Sequence, residues 1–183
     1  MSENNLPIWR QELKSARKKE GKIPSSKWIQ LATVNSQNMP RLRTVVFRGW
    51  EQGTSMIIFT DRRSEKIEHL QHNSNAEVLW FFLKSKTQFR FKGTINELIE
   101  NGNYWDTLSN NSKSTWFWDH PGRELNPEMK SYELKRNNLY KPKNFLVLQF
   151  QVQSVDMLKL NRPIHKRYLW EKANKWKKVE INP

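Results

Sequence analysis

A nine-residue run, Phe145-Leu-Val-Leu-Gln-Phe-Gln-Val-Gln153, sits inside the longest strand signal of the chain, expected over 144–158. Its apolar and alternating residues suit a β-strand. Similar signals recur at 27–34, 40–50, 55–60, 77–83 and 88–98, and in a final hairpin of 165–170 and 176–181 turning at Ala173-Asn174. Gln88-Phe-Arg-Phe-Lys92 shows the same alternation. Asn35-Ser-Gln-Asn38 is a turn that makes the first two strands a hairpin. Seven or eight strands with few helices between them argue against a parallel, doubly wound sheet. A mainly β fold follows, an antiparallel closed or split β-barrel with peripheral helices.

Helices are expected at the periphery. Pro7 to Gly21 reads as amphipathic, with Ile8, Leu13 and Ala16 on the apolar side and Gly21 as the stop. A short helix starts after Ser64, a suitable N-cap, and ends at Asn73-Ser-Asn75, covering an open end of the barrel. Residues 100–140 read as irregular to helical, with a start near Asn126-Pro127. Neither a linker nor a repeat interrupts the 183 residues, so one domain over 1–183 is expected.

The formal net charge is +14, from 32 basic and 18 acidic residues, which favours anionic partners. Aromatic residues make up 12 %, too many for a disordered polyelectrolyte. Without cysteine there is no disulfide and no thiolate metal site. No apolar run approaches the length of a membrane span, and the polar N-terminus lacks a signal-peptide core, so a soluble, cytoplasmic protein is expected.

Six glycines in no phosphate-loop pattern leave side chains and helix-end amides to hold any phosphate. The stretch Arg41-Leu-Arg43-Thr-Val-Val-Phe-Arg48, followed by Ile58-Phe-Thr60-Asp-Arg62-Arg63-Ser64-Glu-Lys66, can supply them. Arg43, Arg48 and Lys66 lie where strand ends and a helix start converge, which predicts an anionic cofactor. His69 and His72 have a spacing open to a metal but lack a clear third ligand, so solvated helix-face histidines are expected. Trp105, Trp116, Phe117 and Trp118 suit core or lid packing, or an aromatic wall beside a planar ring. The weaker alternative is a nucleic-acid surface built from Arg41/Arg43/Arg48, Arg62/Arg63 and Lys175/Lys177/Lys178 among aromatic residues.

Four blocks together resemble the pyridoxamine 5′-phosphate oxidase-like family of FMN-binding split barrels, nearest its uncharacterised, largely cyanobacterial and plant members. They are Leu31-Ala-Thr-Val with Pro40 to Gly49, Phe59-Thr-Asp with Ser64-Glu-Lys66, Thr87 to Gly93, and Arg162-Pro-Ile-His165-Lys-Arg167 with Trp176 to Pro183. The resemblance implies homodimers with FMN across the subunit interface. It implies that Arg43 and Lys66, beside Ser64, hold the FMN phosphate. The flavin ring would lie along Thr44, Val45, Val46 and Arg48, next to Phe59 and Thr60. Gln88 would meet the pyrimidine side of the ring, Arg167 its carbonyls, and His165 the substrate. An FMN-dependent oxidoreductase is implied, with pyridoxamine/pyridoxine 5′-phosphate oxidase itself as the runner-up.

Four departures from the family pattern bear on that runner-up. Glu65 stands where the oxidases carry a phosphate-binding Arg, for which Arg62 or Arg63 is expected to compensate. Leu158 or Lys159 replaces a tryptophan against the flavin. Residues 91–122 contain no Arg, and Arg162 is displaced by one residue from the Arg-x-His-x-Arg pattern.

Overall fold

The computed structural model describes residues 6–99, 103–125 and 139–183. Its strands are β1 (Trp28–Val34), β2 (Pro40–Glu51), β3 (Ser55–Asp61), β4 (Asn75–Phe82), β5 (Thr87–Glu97), β6 (Phe145–Lys159), β7 (Lys166–Glu171) and β8 (Val179–Ile181). Helix α1 (Ile8–Glu20) precedes β1, α2 (Glu65–His72) joins β3 to β4, and α3 (Asn110–Ser114) lies between β5 and β6. The expected helix start at Asn126-Pro127 falls outside the described residues.

Neighbouring strands run antiparallel in the order β3-β2-β1-β4-β5-β6-β7-β8, and an added β3–β6 pairing closes the first six into a barrel. The fifteen-residue β6 makes this possible. Its first half pairs with β3, from Asp61↔Phe145 to Ser55↔Gln151. Its second half pairs with β7, from Ser154↔Glu171 to Lys159↔Lys166. Most of its length also pairs with β5. The sequence pattern matches this use. The apolar run Phe145–Leu148 is buried on both faces, whereas Gln151 and Gln153 are exposed. Hairpin β7–β8 hangs from β6 outside the closed wall.

Inward-facing residues alternate as a half-buried sheet requires. Phe89, Phe91 and Ile95 of β5, Val78, Trp80 and Phe82 of β4, and Ile29 and Leu31 of β1 form one core with Phe150, Val152, Val155 and Met157 of β6. Helix α1 closes one end. Its buried face is Trp9, Leu13 and Ala16, with Ile8 54 % exposed, so Trp9 takes the place expected of Ile8. The larger ring reaches further inward and meets Trp50, Phe91 and Trp176. Gly21 ends the helix at φ +92°, a conformation that suits glycine alone. Helix α2 covers the opposite end, burying Ile67 in the same core. A second cluster outside the barrel wall gathers Ile57, Trp105, Leu108, Phe145 and Val147, with Trp116 packed against it. Trp105 and Trp116 are therefore packing residues here, whereas Phe117 and Trp118 are 42 % and 47 % exposed.

Gly93 shows how tightly β5 and β6 approach. The ladder slips between Lys92 and Gly93, and a Cβ there would stand 2.0 Å from the Gln151 carbonyl oxygen. Only a backbone shift can relieve that overlap. Gly93→Ala is expected to cost about 2 kcal/mol or more, at the upper end of overpacking penalties. Urea unfolding would show it as a lower midpoint with an unchanged slope; an unaltered midpoint would refute the close approach.

Candidate functional site

At the mouth covered by α2, the inward positions carry polar side chains in place of the aliphatic ones found deeper in the barrel. Thr33 is the last residue but one of β1, Arg43 lies opposite Leu31 on β2, and Thr60 is the last residue but one of β3. Thr33 and Thr60 are buried, and so is His69 on α2. The Arg43 guanidinium donates to the Thr33 hydroxyl at 2.6 Å, the Arg41 carbonyl at 3.0 Å and the Leu31 carbonyl at 3.3 Å. Its other nitrogen lies 3.3 Å from Nδ1 of His69, which is also 3.1 Å from the Thr33 hydroxyl. Arg43 can only donate, so this geometry makes Nδ1 the acceptor of a neutral imidazole.

Lys66 completes the cluster from the first turn of α2. Its ammonium donates to the Ser64 hydroxyl at 2.8 Å and the Thr60 hydroxyl at 2.9 Å. Burial, followed by repulsion from Arg43, pushes its pKa below the ordinary lysine value. Among the described residues, neither Arg43 nor Lys66 forms a salt bridge with a carboxylate. Two cations that repel each other and are surrounded by hydroxyls form a strong site for a dianion. The dipole of α2 adds to the attraction.

The turn that presents Lys66 is fixed by Asp61. Its carboxylate accepts from the Arg63 amide at 2.8 Å, from the Arg63 side chain, and from Asn144 at 2.8 Å. Those donors hold the Asp61 pKa below the usual carboxylate range, against the upward push of burial. Ser64 occupies the N-cap position but does not cap with its side chain. Its hydroxyl donates instead to the Asp61 carbonyl at 2.7 Å, which leaves its oxygen to receive Lys66.

The expected compensation for Glu65 is absent. Arg63 is consumed by Asp61 and the Trp118 carbonyl, and Arg62 forms a bidentate pair with Glu97. His69 is also corrected, from a solvated histidine to a buried one hydrogen-bonded beside Arg43. It lies on the same helix face as Glu65, one turn along. A histidine within reach of a strand arginine needed knowledge of how α2 crosses the barrel mouth. The described residues contain no group of three or more metal-ligating side chains.

The remaining predicted positions lie on the outer surface of the wall. Thr44, Val46 and Arg48 alternate with Val45, which packs on the core. Phe59 is half-buried, with the Arg48 guanidinium 5.1 Å from its ring centre. Gln88 is half-buried on β5, three strands from β2 and about 14 Å along the sheet. Arg167 on β7 is likewise three strands from β2, counted through β3 and β6. Asp156 grips Arg167 at 2.7 and 3.0 Å, and Arg90 shares the same carboxylate. His165 lines a shallow pocket of about 530 Å³ with Arg167 and the C-terminal residues. The structure thus brings together Arg43, Thr60, Ser64 and Lys66. Arg48, expected to join Arg43 and Lys66, instead points outward over Phe59, because it lies on the opposite face of β2. Gln88, His165 and Arg167 also lie elsewhere on the same chain.

Residues 6–98 match the family model described as pyridoxamine 5′-phosphate oxidase, FMN-binding domain. The chain belongs to this family. It is 33 % identical over 165 residues to pyridoxine/pyridoxamine 5′-phosphate oxidase 2 of Arabidopsis thaliana, covering 83 % of each protein. Pyridoxine/pyridoxamine 5′-phosphate oxidase of Burkholderia thailandensis is 30 % identical over 93 residues, which span 51 % of this chain and 41 % of that enzyme. Among solved structures, a pyridoxamine 5′-phosphate oxidase-related, FMN-binding protein from Nostoc punctiforme superimposes with a TM-score of 0.87 at 27 % identity, over 100 % of both chains. PhzG from Burkholderia lata shares the fold, with a TM-score of 0.82 at 18 % identity, over 96 % and 91 % of the two chains.

His69 gives the cluster a pH signature. Burial, reinforced by repulsion from Arg43, lowers its pKa below the ordinary value of 6.5. Between the lowered native value and 6.5 the unfolded chain binds more protons, so stability falls as the pH drops through that window. Urea midpoints at about pH 7.5 and about pH 5.5 should therefore differ, and His69→Gln should shrink the difference. An undiminished difference in the variant would remove His69 from this role.

Proposed function

We propose that this protein binds FMN and acts as an FMN-dependent oxidoreductase, as a homodimer with the cofactor held between two chains. The observation that carries the reading is the pair Arg43 and Lys66, close enough to repel and, among the described residues, in no salt bridge with a carboxylate. Such a pair fits the phosphate of a mononucleotide. The guanidinium supplies a directional fork and the ammonium a point charge, with the Thr60 and Ser64 hydroxyls steering the latter.

On this reading the ring lies along Thr44–Arg48, where Val46 offers an apolar surface and Arg48 a cation. The separation of Gln88 and Arg167 from β2 supports a shared site, because a partner's β5 and β7 can reach what this chain's own cannot. The salt bridge to Asp156 fixes the direction of Arg167, so a guanidinium at the ring carbonyls would be preorganised for the charge that builds there. When bound, FMN supplies the hydride chemistry, and the protein supplies position, charge and exclusion of water. His165, on the segment leading into β7, is the residue best placed to meet a substrate on the ring. Oxidation of pyridoxamine or pyridoxine phosphate is the narrower version of this function, supported by the relatives' activity and weakened by Glu65 and the Arg-free stretch 91–122. The consumption of Arg62 and Arg63 by acidic partners also weakens the nucleic-acid alternative.

The purified protein should take up FMN and show flavin absorption bands. Arg43→Ala with Lys66→Ala should lower FMN affinity by about a hundredfold or more, the loss of two charge-assisted contacts. Unchanged affinity by fluorescence titration would refute the phosphate assignment. Subunit sharing has its own test, in which Arg43→Ala and Arg167→Ala proteins are mixed and reassociated. Each mixed dimer should regain one complete site. No recovery of FMN binding above that of the separate variants would refute a shared site.

A further inference from the structure

The Arg43–Lys66 cluster contains a third ionisable side chain, and in this arrangement it is neutral. His69 is buried beneath α2, with Nδ1 3.3 Å from an Arg43 nitrogen and 3.1 Å from the Thr33 hydroxyl. Arg43 donates to that same hydroxyl at 2.6 Å, so the Thr33 oxygen accepts there and its proton can point at Nδ1. A bare Nδ1 therefore faces two donors. A proton on it would set imidazolium against guanidinium and leave the Arg43 N–H nothing to donate to. Thr33, by contrast, serves both forms. Its hydroxyl donates to a bare Nδ1, and its second lone pair accepts from a protonated one, with no movement of β1 or α2.

The charges that act on the ring come from two elements. Arg43 and Arg41 of β2 favour its neutral form, whereas Glu65 and Glu68 of α2, both exposed, favour the charged one. From β1 the neighbour is the uncharged Thr33, and Lys66 is turned toward Thr60 and Ser64. Glu65 also acts on Arg43 and on Lys66, so a dianion between them meets less than two full counter-charges. Arg62 and Arg63, each paired with a carboxylate, add no third. A dianion drawing on Arg43 changes the balance at His69. An oxygen accepting from the nitrogen that faces His69 lies within about 6 Å of Nδ1, where an opposite charge favours the protonated ring. It also takes the donor that opposed the proton.

We infer that His69 is a proton-coupled third cation of this site: when a tetrahedral dianion takes over the Arg43 donor, Nδ1 gains a proton from solvent and donates it in a hydrogen bond to the Thr33 hydroxyl. Anion and proton then bind together. This role rests on the phosphate reading of the cluster given above. Burial, then repulsion from Arg43, holds the His69 pKa below 6.5, and a bound dianion raises it. Below the lower value the ring is charged in either case, and above the upper value in neither. Affinity for the dianion therefore falls as the pH rises through the window between them.

Sulfate is the cleaner probe, because it stays doubly charged where a phosphate monoester itself titrates, at about pH 6. Nitrogen NMR of the full-length protein, labelled in its histidine rings, follows His69 against pH with sulfate, FMN or riboflavin, at an ionic strength held constant with chloride. Sulfate and FMN should each raise the His69 midpoint by about one unit or more, and riboflavin, which lacks the phosphate, should not. Exposed His72, three residues on, is the control for unspecific screening. By calorimetry, sulfate affinity should fall by up to about tenfold per pH unit inside the window, and His69→Gln should flatten that slope. A His69 midpoint unmoved by saturating sulfate would overturn the inference. So would an equal shift at His72, an equal shift with riboflavin, or an undiminished slope in the variant. The wild-type titration requires no substitution, so it decides the matter even if the variant does not fold. A midpoint raised by sulfate but not by FMN would support the proton coupling and count against the FMN reading.

Discussion

Closure of the barrel depends on a single strand serving three neighbours. β6 bonds to β3 over its first half, to β7 over its second, and to β5 along most of its length. Because β3 is locked to β6, the turn after β3 has a fixed starting point, and Asp61 pins the rest of it. Lys66 is therefore delivered to Arg43 by the geometry of closure as well as by local helix propensity. Without the β3–β6 ladder the two cations would have no reason to share a partly buried space.

The arrangement of charge divides the molecule's cations into two populations. Arg62, Arg63, Arg90, Lys159 and Arg167 are bound to carboxylates and serve the architecture. Arg10, Arg17, Arg43, Arg48 and Lys66 hold stacked or hydroxyl-bonded positions and form no salt bridge with a carboxylate among the described residues. Net charge alone, +14, could not make this distinction. The second population is the one whose charge is left without a salt-bridge partner among the described residues, and Arg43 and Lys66 bring it together at the mouth beneath α2.

Much of the fold was legible because strands with one buried face repeat every second residue, and the chain carries that period clearly in β5 and β6. The turn at 35–38 and the hairpin at 173–174 were readable for the same reason. Trp9 was missed as the anchor of α1 because Ile8 and Trp9 both suit an apolar face, and only the depth of the barrel mouth selects the larger ring. Ser64 was correctly placed at the head of α2, but its hydroxyl was claimed by Asp61 and Lys66, partners that depend on the turn's three-dimensional path. In the candidate site, Arg43 and Lys66 could be paired from motif spacing. His69 and Thr33 could not, since their roles arise from contact across elements 36 residues apart. The partners of Arg62 and Arg63 were hidden for the same reason, as Glu97 is 35 residues away from Arg62.

The β7–β8 hairpin bonds through its backbone to β6 alone, but Trp170 is buried in the core and Trp176 meets Trp9 of α1; it carries Arg167 and adjoins His165. Its backbone contributes nothing to closing the cylinder. Changes at its exposed positions can be absorbed without reopening the core, whereas Trp170 and Trp176 tie its other face to the barrel. A scaffold of this design separates the strands that seal the core from an outer edge whose exposed positions can be retuned.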